Sequence, residues 1–231
     1  MKQTISWYES SYRQHGFSAQ RKYPNENLVS VIMSIWSGHK DKKSIKILET
    51  GCGSGANLWF LAREGFDAYG IDVIPHALEL CANKLLNEGL SARLECMDMS
   101  KIDFDFKFDM IFDIVSNYCL DEEQFQEYLN RVNNHLKSGG YFFMSAWTDQ
   151  STVFTNHAPA ILIDEFRING IYREDSPFYG NFYPFRFYPV EYLKSALSVR
   201  GLEIVSLEFQ TRTYNGKNDM LEIVNILAKK L

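Results

Sequence analysis

The sequence predicts an α/β fold, a mostly parallel sheet with helices on both faces. Three observations lead there. Short apolar runs alternate with helix-periodic stretches from residue 45 to residue 147. A glycine loop, "GCGSG", follows the first of these runs directly. An acid closes each of the first four runs, at Glu49, Asp72, Asp98 and Asp113.

Residues 1–40 are expected to form a helical cap, polar and aromatic at first and then amphipathic. "NLVSVIMSIW" sets Leu28, Ile32, Ile35 and Trp36 at helical spacing, with Pro24 and Asn25 as its start. The core of the fold is expected over 45–147. "SIKILE" reads as a buried strand, "SGANLWFLAREG" as a helix closed by Gly65, and "DAYGID" as a second strand. "PHALELCANKLLNEG" is a helix with Pro75 in its first turn and Gly89 beyond its end. "ARLECMD" and "FDMIFD" are the third and fourth strands. "DEEQFQEYLNRVNNHLKSGG" is a long helix stopped by two glycines, and "GYFFMSAW" a fifth strand.

The rhythm breaks at residues 148–188, where "FTNHAPAILIDEF" and "SPFYGNFYPFRFYP" are aromatic and irregular. A segment this long between regular elements suits an inserted lid. Residues 189–231 close the chain with a helix, "VEYLKSALSVRG", and two strands joined across Asn215-Gly216, a hairpin signal. The 231 residues are long enough for one domain with a proper core.

The net charge of −5 argues against nucleic acid as the main partner, because a phosphate backbone requires a basic face. The four cysteines, Cys52, Cys81, Cys96 and Cys119, form no C-x-x-C pair and have no histidine at metal-ligand spacing. Reduced thiols and no metal are therefore expected, in a cytoplasmic protein. The N-terminal stretch has no apolar core of signal-peptide kind, and no run approaches a membrane span.

Gly51, Gly53 and Gly55 remove side chains where a loop turns sharply and a ligand can approach the main chain. A tight structural turn would use the same residues. The acids give the loop its meaning, since strand ends in a parallel sheet open onto the ligand crevice. Asp72, about 20 residues after the loop, is positioned for ribose hydroxyls, and Asp98 for an exocyclic amine. Each acid alone could be a helix cap; four at successive strand ends are hard to explain as caps.

"LETGCGSGANL", "YGIDVIP", "CMDM", "FDMIFDIVS" and "LKSGGYFF" resemble, in order and spacing, the motifs of class I S-adenosylmethionine-dependent methyltransferases. The resemblance covers about residues 45–146. It implies a Rossmann-like seven-stranded sheet of order 3-2-1-4-5-7-6 with the last strand antiparallel, and S-adenosyl-L-methionine as cofactor, S-adenosyl-L-homocysteine as product. It further implies that Glu49 and the backbone of Gly51, Cys52 and Gly53 border the methionine part. Asp72 would hold the ribose, Val73 and Ile74 would pack on the adenine, and Asp98 would take its amino group beside Met97 or Met99. Asp113 would lie near the methionine amino group. Thr50 departs from the small apolar residue common at its position.

Such chemistry needs alignment and exclusion of water more than covalent help. The insertion, with Trp7, Tyr8 and Tyr12, is expected to supply a lid, the alternative being that these aromatics are simply core. His157 and Tyr183 are candidates for a general base. Tyr23, Asn117 and Tyr118 are candidates for acceptor contacts, and Arg21, Lys22 and Arg186 for holding an anion. The expected acceptor is a small polar molecule, anionic or sugar-like, met by a monomer or homodimer. Two rival readings are an NAD(P)-dependent oxidoreductase, since "GCGSGA" also fits G-x-G-x-x-A, and a non-catalytic module that keeps the fold to bind a partner.

Overall fold

A computed structural model describes residues 2–231. Its frame is a seven-stranded sheet built from β1 (Lys46–Thr50), β2 (Asp67–Asp72), β3 (Arg93–Cys96), β4 (Phe108–Ile114), β5 (Leu136–Trp147), β8 (Leu202–Tyr214) and β9 (Asp219–Lys230). The strand order is β3-β2-β1-β4-β5-β9-β8. The first five strands pair parallel, whereas β9 pairs antiparallel with both β5 and β8. Counted within the sheet, this is the order 3-2-1-4-5-7-6, as expected. Asn215-Gly216 make the turn between β8 and β9, with both residues at positive φ.

β1, β2 and β4 are buried almost throughout because both faces of the sheet are covered. Along β4, Ile111 joins a core shared with Phe125, Leu129 and Val132 of α5 (Glu122–His135) and Leu193 and Leu197 of α7 (Val190–Ser198). Its neighbours Met110 and Phe112 join the opposite core. There they meet α2 (Glu26–Trp36), α3 (Ala56–Glu64) and α4 (Pro75–Leu86) through Leu28, Ile32, Leu58, Leu61 and Leu78. Strand alternation thus splits one run of apolar residues between two layers.

Several local signals act as read. Asn25 caps α2 by accepting from Leu28 N at 3.0 Å, and Gly65 closes α3 in the left-handed conformation. The long helix α5 differs in its end. It stops at His135, and β5 begins at once with "LKSGG", paired to β4 through a bulge between Phe108 and Met110. Pairing with β4 captures residues that helical periodicity alone would leave in the helix.

Lys2–His15 form a further helix, α1, whose Tyr12 packs on Ile74 and Ala77 at the start of α4. The segment 148–188 holds one helical turn, α6 (Thr152–Thr155), and two short paired strands, β6 (Arg167–Ile168) and β7 (Phe185–Arg186). Ile168, Ile171, Tyr183, Phe185 and Phe187 form their own buried cluster with Trp147, Tyr118 and Leu221.

Candidate active site

The site begins where β1 ends. The amides of Gly51 and Cys52 both donate to Ile71 O, at 2.8 and 3.0 Å, and Gly55 N donates to Cys52 O at 3.0 Å. These bonds fold the loop back against β2 and require positive φ at Gly51, Gly53 and Gly55. A Cβ at Gly51 would lie 2.3 Å from Ser116 Oγ, and one at Gly53 2.6 Å from the Tyr12 hydroxyl. The glycines are thus demanded by close approach as well as by torsion.

Asp72 ties this loop to the next strand end. Its Oδ2 accepts from Gly53 N and its Oδ1 from Ile74 N, both at 2.9 Å. Burial raises its carboxyl above the ordinary range, and the amides of Ile74 and Gly53 oppose that rise. Each oxygen retains a lone pair, so two further donors can be received. Asp98 sits one strand further out, accepting from Ser100 N at 2.9 Å and Ser100 Oγ at 2.8 Å.

Glu49 is buried, and only one of its oxygens is satisfied. Oε1 accepts from Asn57 Nδ2 at 2.6 Å, while Oε2 has no partner among the described residues. Desolvation pushes its carboxyl up to about 8, which the Asn57 bond and the Arg21 charge partly oppose. The neighbouring Thr50, unusual for the resemblance, is well accommodated. Its hydroxyl hydrogen-bonds with Tyr128 at 2.8 Å and donates to Phe112 O at 3.2 Å inside the core.

These residues share one cavity of about 350 Å³, within the usual range for small-ligand sites. It runs along the strand tips from Met97, Asp98 and Met99 at β3, past Val73, Ile74 and the glycine loop, to Ile114–Ser116, Tyr118–Leu120 and Trp147 at β4 and β5. Its cover is drawn from α1 and the loop after it: Thr4, Ile5, Tyr8, Tyr12, Gln20 and Arg21. No residue of 148–188 lines it. The insertion expected to be a lid instead packs behind Tyr118 and Trp147 as core.

Of the residues singled out from sequence, Glu49, Gly51, Cys52, Gly53, Asp72, Val73, Ile74, Met97, Asp98, Met99, Tyr8, Tyr12, Arg21 and Tyr118 line the cavity. The others are placed elsewhere, each for a physical reason. Asp113 lies beneath the floor, its Oδ1 accepting from the amides of Ser116 and Asn117 and from the Asn117 side chain. The Asn117 side chain donates both that bond and one to Ser145 O at 2.9 Å, while its Oδ1 has no partner among the described residues. Together they hold the turn that keeps Val115, a β-branched residue, at φ 69°.

Arg186 is fully buried outside the cavity lining, paired with Glu122 and flanked by the rings of Phe125, Phe166, Tyr188 and Tyr192. It answers the charge on α5 rather than a ligand. His157 hydrogen-bonds through Nδ1 with Phe154 O at 2.7 Å, outside the cavity lining. Tyr23 is 65% exposed, with Lys22 above its ring. Tyr183 stands one layer back, near Tyr8 and bonded to Asn181 Oδ1 at 3.1 Å.

The lining residues that sequence reading missed are Thr4, Ile5, Gln20, Ser54, Ala56, Asn57, Ile114, Val115, Ser116, Cys119, Leu120 and Trp147. Asn57 was within reach, as a polar residue on the first turn of the helix after the glycine loop. Thr4, Ile5 and Gln20 carry no local signal, because their place depends on α1 folding over the strand tips, whereas Ile114 and Trp147 end β4 and β5, where strand ends already point to the crevice.

Residues 47–140 match the family model described as the methyltransferase domain. Over those residues the chain is similar to methyltransferase domains. In sequence it is 26% identical over 165 residues to a tRNA U34 carboxymethyltransferase of Pasteurella multocida, spanning 69% of this chain and 49% of that protein. The chain spans a third to a half of the length of the first curated relatives it matches. In structure, the fold of the chain resembles that of an S-adenosylmethionine-dependent methyltransferase from Methanosarcina mazei, with TM-score 0.68, 22% identity, and 80% and 92% of the two chains covered. It also resembles the N-methyltransferase NodS of Bradyrhizobium japonicum, solved with S-adenosyl-L-homocysteine, with TM-score 0.64, 16% identity and 98% of each chain covered. Among the described residues, no helix is long and apolar enough to cross a membrane, and no group of side chains has a metal-binding arrangement.

Proposed function

We propose that this protein binds S-adenosyl-L-methionine in the strand-tip cavity and is a methyltransferase for a small acceptor. The single observation that carries the reading is Glu49. A buried carboxylate oxygen without a partner, beside bare loop backbone, fits a ligand that brings a cationic N–H group. The methionine ammonium is such a group. Asp72, with spare acceptor capacity, suits vicinal hydroxyls, and Val73, Ile74, Met97 and Met99 suit the faces of a purine. Asp98 suits its amino group.

When bound, the cofactor supplies an electrophilic methyl group on a sulfonium. What this chain supplies is position and dryness. Asp72 would orient the nucleoside, Glu49 and Arg21 would address the amino-acid part, and α1 closes the cavity against water. None of the side chains lining the β4–β5 end is an ionised base. Burial raises the Tyr8 and Tyr118 hydroxyls above their ordinary value and the Cys119 thiol to about 12. His157 lies outside the lining, so the lone candidate histidine has no part in this reading.

A thermal-shift series tests the reading. S-adenosyl-L-homocysteine is expected to raise the melting temperature, and NAD or NADP to leave it unchanged. Stabilisation by a dinucleotide alone would favour the oxidoreductase reading instead.

A further inference from the structure

The cavity lining divides by charge. Its four charged side chains, Arg21, Glu49, Asp72 and Asp98, belong to the β1–β3 strand ends and the loop above them. At the β4 and β5 ends stand Ile114, Val115, Ser116, Tyr118, Cys119, Leu120 and Trp147, none of them ionised, with Tyr8 over Tyr118. The walls there are flat and fixed. Tyr118 stacks on Phe185 with centroids 4.4 Å apart and planes 4° apart, and Phe185 in turn touches Trp147 and Tyr183 at 5.2 and 4.9 Å.

Polar anchors remain on this apolar surface. The Tyr8 and Tyr118 hydroxyls bond to each other, while Tyr183 offers its proton to Asn181. Thr4 Oγ1, buried in the same cavity lining, has no partner among the described residues. An anion entering this end would lose its hydration and meet no cation. A sugar would present more hydroxyls than the wall can satisfy. A planar ring would gain offset stacking on rings already held in place.

We propose that the β4–β5 end of the cavity takes an uncharged planar heteroaromatic or arylamine acceptor, stacked beside Tyr118 and Trp147 and hydrogen-bonded to the Tyr8–Tyr118 hydroxyl pair. This rests on the cofactor occupying the other end, and it replaces the expectation of an anionic or sugar-like acceptor. With no ionised base in the lining there, the accepting nitrogen offers its own lone pair: the new N–C bond forms as the S–C bond breaks and S-adenosyl-L-homocysteine leaves, a ring nitrogen keeping the positive charge and an aromatic amine giving its proton to solvent. The chain's net charge of −5 and the roof formed by α1 point to a free small molecule rather than a base within RNA.

The test is calorimetry on the protein loaded with S-adenosyl-L-homocysteine. Quinoline or aniline is expected to bind at least about tenfold tighter than benzoate, phenyl phosphate or glucose. In Tyr8→Phe, quinoline is expected to weaken several-fold while naphthalene, which has no hydrogen-bonding atom, keeps its affinity. Equal or tighter binding of the anions or of glucose overturns the proposal, as does displacement of quinoline by unfractionated tRNA. So does a quinoline-to-naphthalene ratio unchanged in Tyr8→Phe. Failure of S-adenosyl-L-homocysteine to bind at all would instead sink the cofactor reading, and this proposal with it.

Discussion

The amide of Gly53 donates to Asp72 Oδ2 across 2.9 Å, so the acid that ends β2 holds the loop that follows β1 in place. One carboxylate thereby serves two strand ends, since its other oxygen takes the Ile74 amide. Its part in shaping the loop precedes any part in holding a ligand.

Asp72→Asn replaces one accepting oxygen with an amine that faces a backbone N–H. A cost of about 1–3 kcal/mol in stability is expected from the unsatisfied pair. Affinity for S-adenosyl-L-homocysteine should fall about tenfold or more, measured by titration calorimetry. Unchanged affinity with reduced stability would confine Asp72 to the loop.

Gly51→Ala places a methyl 2.3 Å from Ser116 Oγ at a backbone φ of +70°. The left-handed conformation alone costs an L-residue roughly 1–2 kcal/mol. The melting temperature of the unliganded protein should fall, and ligand binding should weaken because the loop must move. An unaltered melting curve would contradict the geometry.

Arg186→Ala separates the structural reading of that residue from the earlier one. Removing a buried side chain from between four rings should cost at least about 3 kcal/mol, lowering the Tm by about 6–12 °C. Cofactor affinity measured well below the new Tm should be unchanged. A raised dissociation constant would return Arg186 to the site.

The carboxyls of Glu49 and Asp113 are raised by burial from 4.5 and 3.8 to about 8 and about 7. For an acid shifted upward, the folded state binds more protons than the unfolded one between those limits. Their contribution to stability is therefore full below about pH 4 and is lost as pH rises through 7 and 8. A cationic ligand group at Glu49 favours its ionised form, so binding below pH 8 should release a proton. The enthalpy of S-adenosyl-L-homocysteine binding at pH 7 should then depend on the buffer's ionisation enthalpy. In Glu49→Gln that dependence should shrink, and its persistence would point to another group.

The sheet was legible in the sequence because its signals are local. Apolar runs of strand length, the positive-φ glycines and the Asn25 and Gly65 caps act within a few residues of themselves, and the acids mark strand ends. Their side of the site was legible for the same reason, since strand ends in a parallel sheet point to one crevice. Arg186 shows where such reading fails. A charged residue among aromatics looks like a ligand-binding cation until α5 brings Glu122 to it from 64 positions away. Asp113 stands at a strand tip but outside the cavity lining, its Oδ1 taken up by the turn after β4 and its Oδ2 without a partner among the described residues.

What the sequence by itself determined is the parallel core, its strand order through the resemblance, and the glycine-and-carboxylate rim. Only the tertiary structure decided which segment roofs the cavity. α1 and the insertion are both aromatic, and composition cannot rank them. The insertion's rings bury one another against Trp147 and Leu221, whereas α1 reaches across the strand tips to Ile74, Gly53 and Tyr118 and meets the insertion at Tyr183. That choice depends on contacts between residues distant in sequence, which no local pattern encodes.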